Sequence, residues 1–75
     1  MEILIKKAIK GDREAFISLI DKHELTMYKT AKAILNNEED IGDAIQETIL
    51  SAYKSISNLK KSKYFKTWLT RILIN

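Results

Sequence analysis

Seventy-five residues allow at most one small domain. Hydrophobic residues make up 45% of them, and with no Pro, two Gly and no Cys the composition reads as helical and excludes disulfides and thiolate metal sites. The net charge of +3 hides a division: Met1–Glu47 carries seven bases and ten acids, a net of −3, whereas Thr48–Asn75 carries six bases and no acid, a net of +6.

The opening MEILIKKAIKGD has an apolar part too short and too interrupted for a signal peptide, and nothing in the chain approaches the roughly 18 apolar residues of a membrane span. Its spacing predicts a first helix over Glu2–Ile9, with Ile3, Leu4, Ala8 and Ile9 as the apolar side. Gly11 ends that helix, and Asp12 is an N-cap for the next, its carboxylate accepting from the free amides of the following turn. The second helix is expected from Arg13 to about Leu35, with an apolar face of Phe16, Leu19, Ile20, His23, Met27, Ala31, Ile34 and Leu35. Asn36 and Asn37 break it.

The stretch from Asn37 to Ser57 is the most informative. Ile41, Ala44, Ile45, Thr48, Ile49, Ala52, Tyr53 and Ile56 advance by threes and fours, the stripe of a helix buried on one side. Opposite lies a second line of Asp40, Asp43, Gln46, Glu47 and Leu50. The helix dipole accounts for Glu38 and Glu39 in the first turn. It does not account for Asp43 and Glu47, which lie beyond that turn. Carboxylates, a Gln and a large aliphatic side chain on one outward face suit a protein partner; the alternative is a solvated helix side.

Ser57–Lys63 should connect to a fourth helix over Lys63–Asn75, with Ser62 as its cap and Phe65, Trp68, Leu69, Ile72 and Leu73 inward. The apolar pattern runs to Ile74 with no terminating signal, which reads as a piece of a longer protein. The acid-free basic half suits a polyanion such as nucleic acid, and the acidic half suits a basic protein; the alternative is a solvated surface of uneven charge. There is no phosphate-cradling Gly-rich motif. His23 is the only histidine, with no Cys or Ser triad around it, and Asp40, Asp43 and Glu47 lack the Glu-x-x-His pairs of a di-iron bundle. No enzyme activity, metal or cofactor is expected.

Three pieces together resemble region 2 of bacterial sigma-70 family factors of the extracytoplasmic-function type. The first is LIKKAIKGDREAFISLIDKH, similar to the family's opening helix, Gly-Asp and Ala-Phe-containing helix. The second is Asp40-Ile-Gly-Asp-Ala-Ile-Gln-Glu-Thr, similar to the family's Asp-Ala-Glu-Asp-Leu-x-Gln-Glu-x-Phe run. The third is Phe65-Lys-Thr-Trp-Leu-Thr-Arg-Ile-Leu-Ile-Asn, similar to Phe-x-x-Trp-Leu-x-x-Ile-x-x-Asn. Gly42 stands where the family usually has Glu, Ala44 where it has Leu, and Ile49 where it has Phe.

The resemblance implies a compact all-α bundle of about four helices: one short, two long and antiparallel, and a fourth packed across them. It implies a cytoplasmic transcription initiation factor domain that grips the clamp helices of the RNA polymerase β′ subunit through Asp40, Asp43, Gln46, Glu47 and Leu50. It also implies recognition and melting of the promoter −10 element on its non-template strand. In this reading Asn58, Lys60, Lys61, Ser62 and Lys63 form the loop that holds a flipped base. Lys60, Lys61, Lys63, Lys66 and Arg71 neutralise phosphates, which gives salt-sensitive affinity, and Thr67, Thr70 and Arg71 face DNA. Asn58 and Ser62 serve equally as helix caps. Tyr64 stacks on a base or packs, and Trp68 is a core residue. The family's second helical domain, which reads the −35 element, lies outside this chain, and an anti-sigma factor is a common family partner. The competing reading is a helical protein-interaction adaptor with no nucleic-acid role.

Overall fold

The computed structural model describes every residue from Met1 to Asn75. The helices are α1 (Glu2–Ile9), α2 (Arg13–Lys32), α3 (Glu38–Ser55) and α4 (Phe65–Ile74), with 3₁₀ turns at Ile56–Asn58 and Ser62–Tyr64 between the last two. This is the all-α architecture expected. α1 packs on α2, α2 on α3, and α4 against both α2 and α3, in a body of 35 × 19 × 19 Å.

Local chemistry sets most boundaries. At the end of α1, Gly11 takes φ = +103°. Its amide donates to the Ala8 carbonyl at 3.0 Å and the Asp12 amide to the Lys7 carbonyl at 3.0 Å, the paired bonds of a Schellman helix end. Asp12 then caps α2, its Oδ1 accepting from the Ala15 amide at 3.0 Å. Asn37 caps α3 through Oδ1, which accepts from the Asp40 amide at 2.8 Å, while Asn37 Nδ2 donates to the Asp40 carboxylate at 3.0 Å. The second bond joins the two side chains, so unlike a capping box it holds the Asn37 amide in place rather than satisfying the Asn37 backbone N–H.

Four expectations need correction. α2 stops at Lys32, short of Leu35. The chain must reverse before Asn37 reaches its extended cap conformation, so Ala33 and Ile34 form a turn and the Leu35 amide bonds back to the Ala31 carbonyl at 2.8 Å. That turn leaves Ile34 exposed. In α1 the inward residue is Ile5, not Ile3, because the two are about 200° apart around the helix and Ala8 fixes which side faces α2. α3 ends at Ser55 and tightens into a 3₁₀ turn. α4 starts at Phe65, not Lys63, since Ser62–Tyr64 are also 3₁₀.

The core joins Ile5 and Ala8 of α1, Phe16, Leu19 and Ile20 of α2, Ala52 of α3 and Phe65 and Leu69 of α4. Leu19 and Phe65 are the largest wholly enclosed side chains. Burying each contributes about 1.5–3 kcal/mol. The buried polar groups are all bonded. His23 donates from Nδ1 to the Leu19 carbonyl at 2.8 Å, and its ring meets Phe65 edge-on at 5.1 Å. Thr48 Oγ1 donates to the Ala44 carbonyl at 2.7 Å. His23 is thus part of the packing of α2 against α4.

Candidate functional site

α3 presents two faces, as its sequence period requires. Ile41, Thr48 and Ala52 are buried, with Ala44, Ile45 and Ile49 partly so. Asp40, Asp43, Gln46, Glu47 and Leu50 are all exposed along the opposite side, Leu50 at 56%. Tyr53 belongs to the apolar stripe but is half-exposed, its ring meeting Phe16 edge-on at 5.1 Å at the margin of the core.

The structure sorts the acids of this helix into two groups. Glu38 is engaged: the Tyr28 hydroxyl donates to its carboxylate at 2.8 and 3.0 Å, and Lys32 approaches at 3.9 Å. Asp40 is held by Asn37. Glu39 in the first turn is unpaired, and on the outward line Asp43 and Glu47 likewise have no hydrogen-bond or ion-pair partner within the chain. The Lys32–Glu38 contact is the sole ion pair in the molecule, and at its exposure it contributes little. Two uncompensated carboxylates, Gln46 and Leu50 therefore form an open acidic line with an apolar member.

A cleft of about 620 Å³ runs beside this line, between α2 and α3. Asp21, Glu24, Leu25 and Tyr28 form its α2 wall, and Gly42, Ile45, Gln46 and Ile49 its α3 wall. Sequence reasoning missed the α2 wall. Its legible signal was Leu25, a large aliphatic residue off the apolar stripe of α2, which is 64% exposed. Gly42 lies on the cleft, and a Cβ built there meets nothing within 4 Å. Packing therefore does not require the glycine.

The basic segment lies after α3. Lys60, Lys61, Lys63, Lys66 and Arg71 are exposed, and none is paired with an acid. Asn58 is exposed at the end of the 3₁₀ turn, and Thr70 is partly buried on α4. Ser62 differs from the rest of this set. It caps no helix: it is buried, and its hydroxyl donates to the Glu2 carboxylate. That bond fastens the loop to the start of α1, a tie between residues 60 apart that no local pattern reveals. Trp68 is partly buried, packed on Phe65 at 5.9 Å between ring centroids. Tyr64 is 52% exposed, with the Lys63 ammonium 5.2 Å from its ring centroid.

Residues 19–75 match the family described as Sigma-70 region 2. The chain belongs to that family. Among curated relatives, this region 2 sequence is 35% identical to the ECF RNA polymerase sigma factor SigW of Bacillus subtilis, over all of this chain and 42% of the relative. It is 31% identical to the RNA polymerase sigma factor NccH of Alcaligenes xylosoxydans xylosoxydans, over 99% of this chain and 40% of the relative. The chain thus spans about two fifths of the length of these relatives. A solved structure superposes with a TM-score of 0.88 at 27% identity, covering 99% of this chain and 77% of the other. It is the NMR structure of an engineered region 2 of sigmaE in complex with GTAAAA. The region 2 fold places the acidic line on α3 and the cations on the loop and α4, on separate elements.

Proposed function

We propose that this region 2 domain attaches a sigma factor to the RNA polymerase core through α3 and engages the single-stranded −10 element through the loop and α4. The observation that carries the reading is the pair of uncompensated surfaces on one small fold. Asp43 and Glu47 are exposed and unpaired on α3, and the cations after Thr48 face no acid of their own. The family assignment and the oligonucleotide complex of the sigmaE region 2 neighbour support the choice of partners.

The clamp-helix contact would centre on Asp43, Gln46, Glu47 and Leu50, with Asp40 kept in the cap. Carboxylates meet basic side chains, Gln46 supplies a directional hydrogen bond, and Leu50 supplies apolar area near the middle. Asp21, Glu24 and Leu25 extend the same surface across the cleft. On the other side, Lys60, Lys61, Lys63, Lys66 and Arg71 bind phosphates without sequence preference, and Asn58 offers a donor and an acceptor to a base edge. Ser62 acts through Glu2 as a brace for the loop.

Asp43→Arg tests the assignment. Its side chain is exposed and has no hydrogen-bond or ion-pair partner in the fold, so helicity and melting temperature should stay near the parent values, within about 0.5 kcal/mol. Affinity for a β′ clamp-helix fragment, measured by calorimetry, should fall at least about tenfold, which corresponds to roughly 1.4 kcal/mol or more. Unchanged affinity in a folded variant would remove α3 from the polymerase contact.

A further inference from the structure

Gly42 stands where a helix least favours it. It lies one turn into α3, and inside a helix only Pro is less favourable than Gly. Its φ is not positive, so no turn asks for it. A Cβ built there meets nothing within 4 Å, so no neighbouring element of the fold needs its absence. Gly42, Ile45 and Ile49 follow at i, i+3 and i+7 along the α3 wall of the cleft of about 620 Å³. That wall therefore carries two branched aliphatic side chains and a gap. Leu25 of α2, 64% exposed, lines the opposite wall. The rim is acidic: Asp21 and Glu24 are exposed and make no ion pair, and no base lines the cleft.

We infer that Gly42 is a notch that admits one bulky apolar side chain from a basic helix laid along the cleft, and that it selects which partner helices fit. The inference rests on the α3 contact proposed above and adds the feature of the partner that this chain requires. A helix seats a large side chain as a knob in a hole bounded by about four residues. Leu25, Gly42, Ile45 and Ile49 line such a hole, and the missing side chain at Gly42 is what leaves it open. The bare carboxylates of Asp21 and Glu24, with Asp43 and Glu47 alongside, favour Lys or Arg on either side of the knob. Nucleic acid is repelled by this rim. A wholly polar helix would leave Leu25, Ile45 and Ile49 without a partner.

The experiment measures binding of the β′ clamp-helix fragment to the intact chain, Gly42→Ala, Gly42→Leu and Asp43→Arg by calorimetry. Both Gly42 variants should fold at least as stably as the parent, since helix propensity rises and the space is open. Gly42→Leu should nevertheless bind at least about tenfold more weakly, and Gly42→Ala more weakly by a smaller factor. The large apolar residues on the contacting face of the fragment are then cut to Ala one at a time. One truncation should weaken binding to the intact chain at least about tenfold and make little difference to Gly42→Leu. If Gly42→Leu binds as tightly as the intact chain while Asp43→Arg binds weakly, the notch is refuted and the α3 contact stands. If Asp43→Arg also binds like the intact chain, or the intact chain does not bind the fragment, the contact and the notch fail together. If Gly42→Leu weakens binding but no truncation couples to it, no knob enters the cleft and the inference is overturned. If the chain alone self-associates and Gly42→Leu makes it monomeric, the occupant is a second copy, which equally overturns it.

Discussion

Gly11 and Gly42 are the only glycines, and they answer to different physics. At Gly11 the backbone sits at φ = +103°, where an L side chain is strained whatever the space around it. Gly11→Ala should cost about 1–2 kcal/mol in a denaturant or thermal melt. At Gly42 the backbone is helical with negative φ, and open space surrounds the position. Gly42→Ala should stabilise by about 1 kcal/mol, raising the melting temperature by roughly 4–8 °C. The opposite signs separate a glycine required by a turn from one that packing does not require. Ser62 shows how a distant partner overrides a local preference. As a residue type before a helix it is an N-cap, yet its hydroxyl goes to Glu2, because that carboxylate arrives from the far end of the chain.

At the scale of an element, α3 is the clearest case. Its apolar period fixes which side is buried, and the exposed line of Asp43, Gln46, Glu47 and Leu50 follows by rotation. Asn37 starts the helix through the reciprocal bond with Asp40. Asn37→Ala should therefore cost about 1 kcal/mol of stability in a thermal melt and release Asp40 from the cap. The limits of the helices were less legible than their faces. α2 ends early because the turn must place Asn37 in extended backbone, and α4 begins late because Ser62–Tyr64 wind as 3₁₀. Both are set by where the next element has to go. The α2 wall of the acidic cleft was likewise hidden, since Asp21 and Glu24 look like ordinary solvated residues until α3 is laid beside them.

At the scale of the whole molecule, the acidic line of Asp43 and Glu47 lies on α3, and five of the six cations after Thr48 lie on the loop and α4, unpaired, with Lys54 alone on α3. Lys60→Glu combined with Lys61→Glu should weaken single-stranded DNA binding. It should also flatten the dependence of log affinity on log salt by roughly 1.4 or more, about 0.7 for each phosphate no longer neutralised. Affinity for the clamp-helix fragment should stay within about twofold, as for independent sites. A parallel fall in both affinities would mean that the two surfaces are one. The sequence by itself determined the helical class, the buried face of α3, the Gly11 and Asp12 boundary and the division of charge. Each of these rests on residues within four positions of one another or on simple counts, and neighbours on a helix are fixed by its geometry. Only the tertiary structure decided that Ile5 and not Ile3 faces inward and that Glu2 holds Ser62. It alone showed Leu25 completing the acidic cleft and Tyr64 and Trp68 sharing a cleft with Arg71. Those outcomes depend on which helices meet and at what angle, which is set by packing of the whole core rather than by any local pattern.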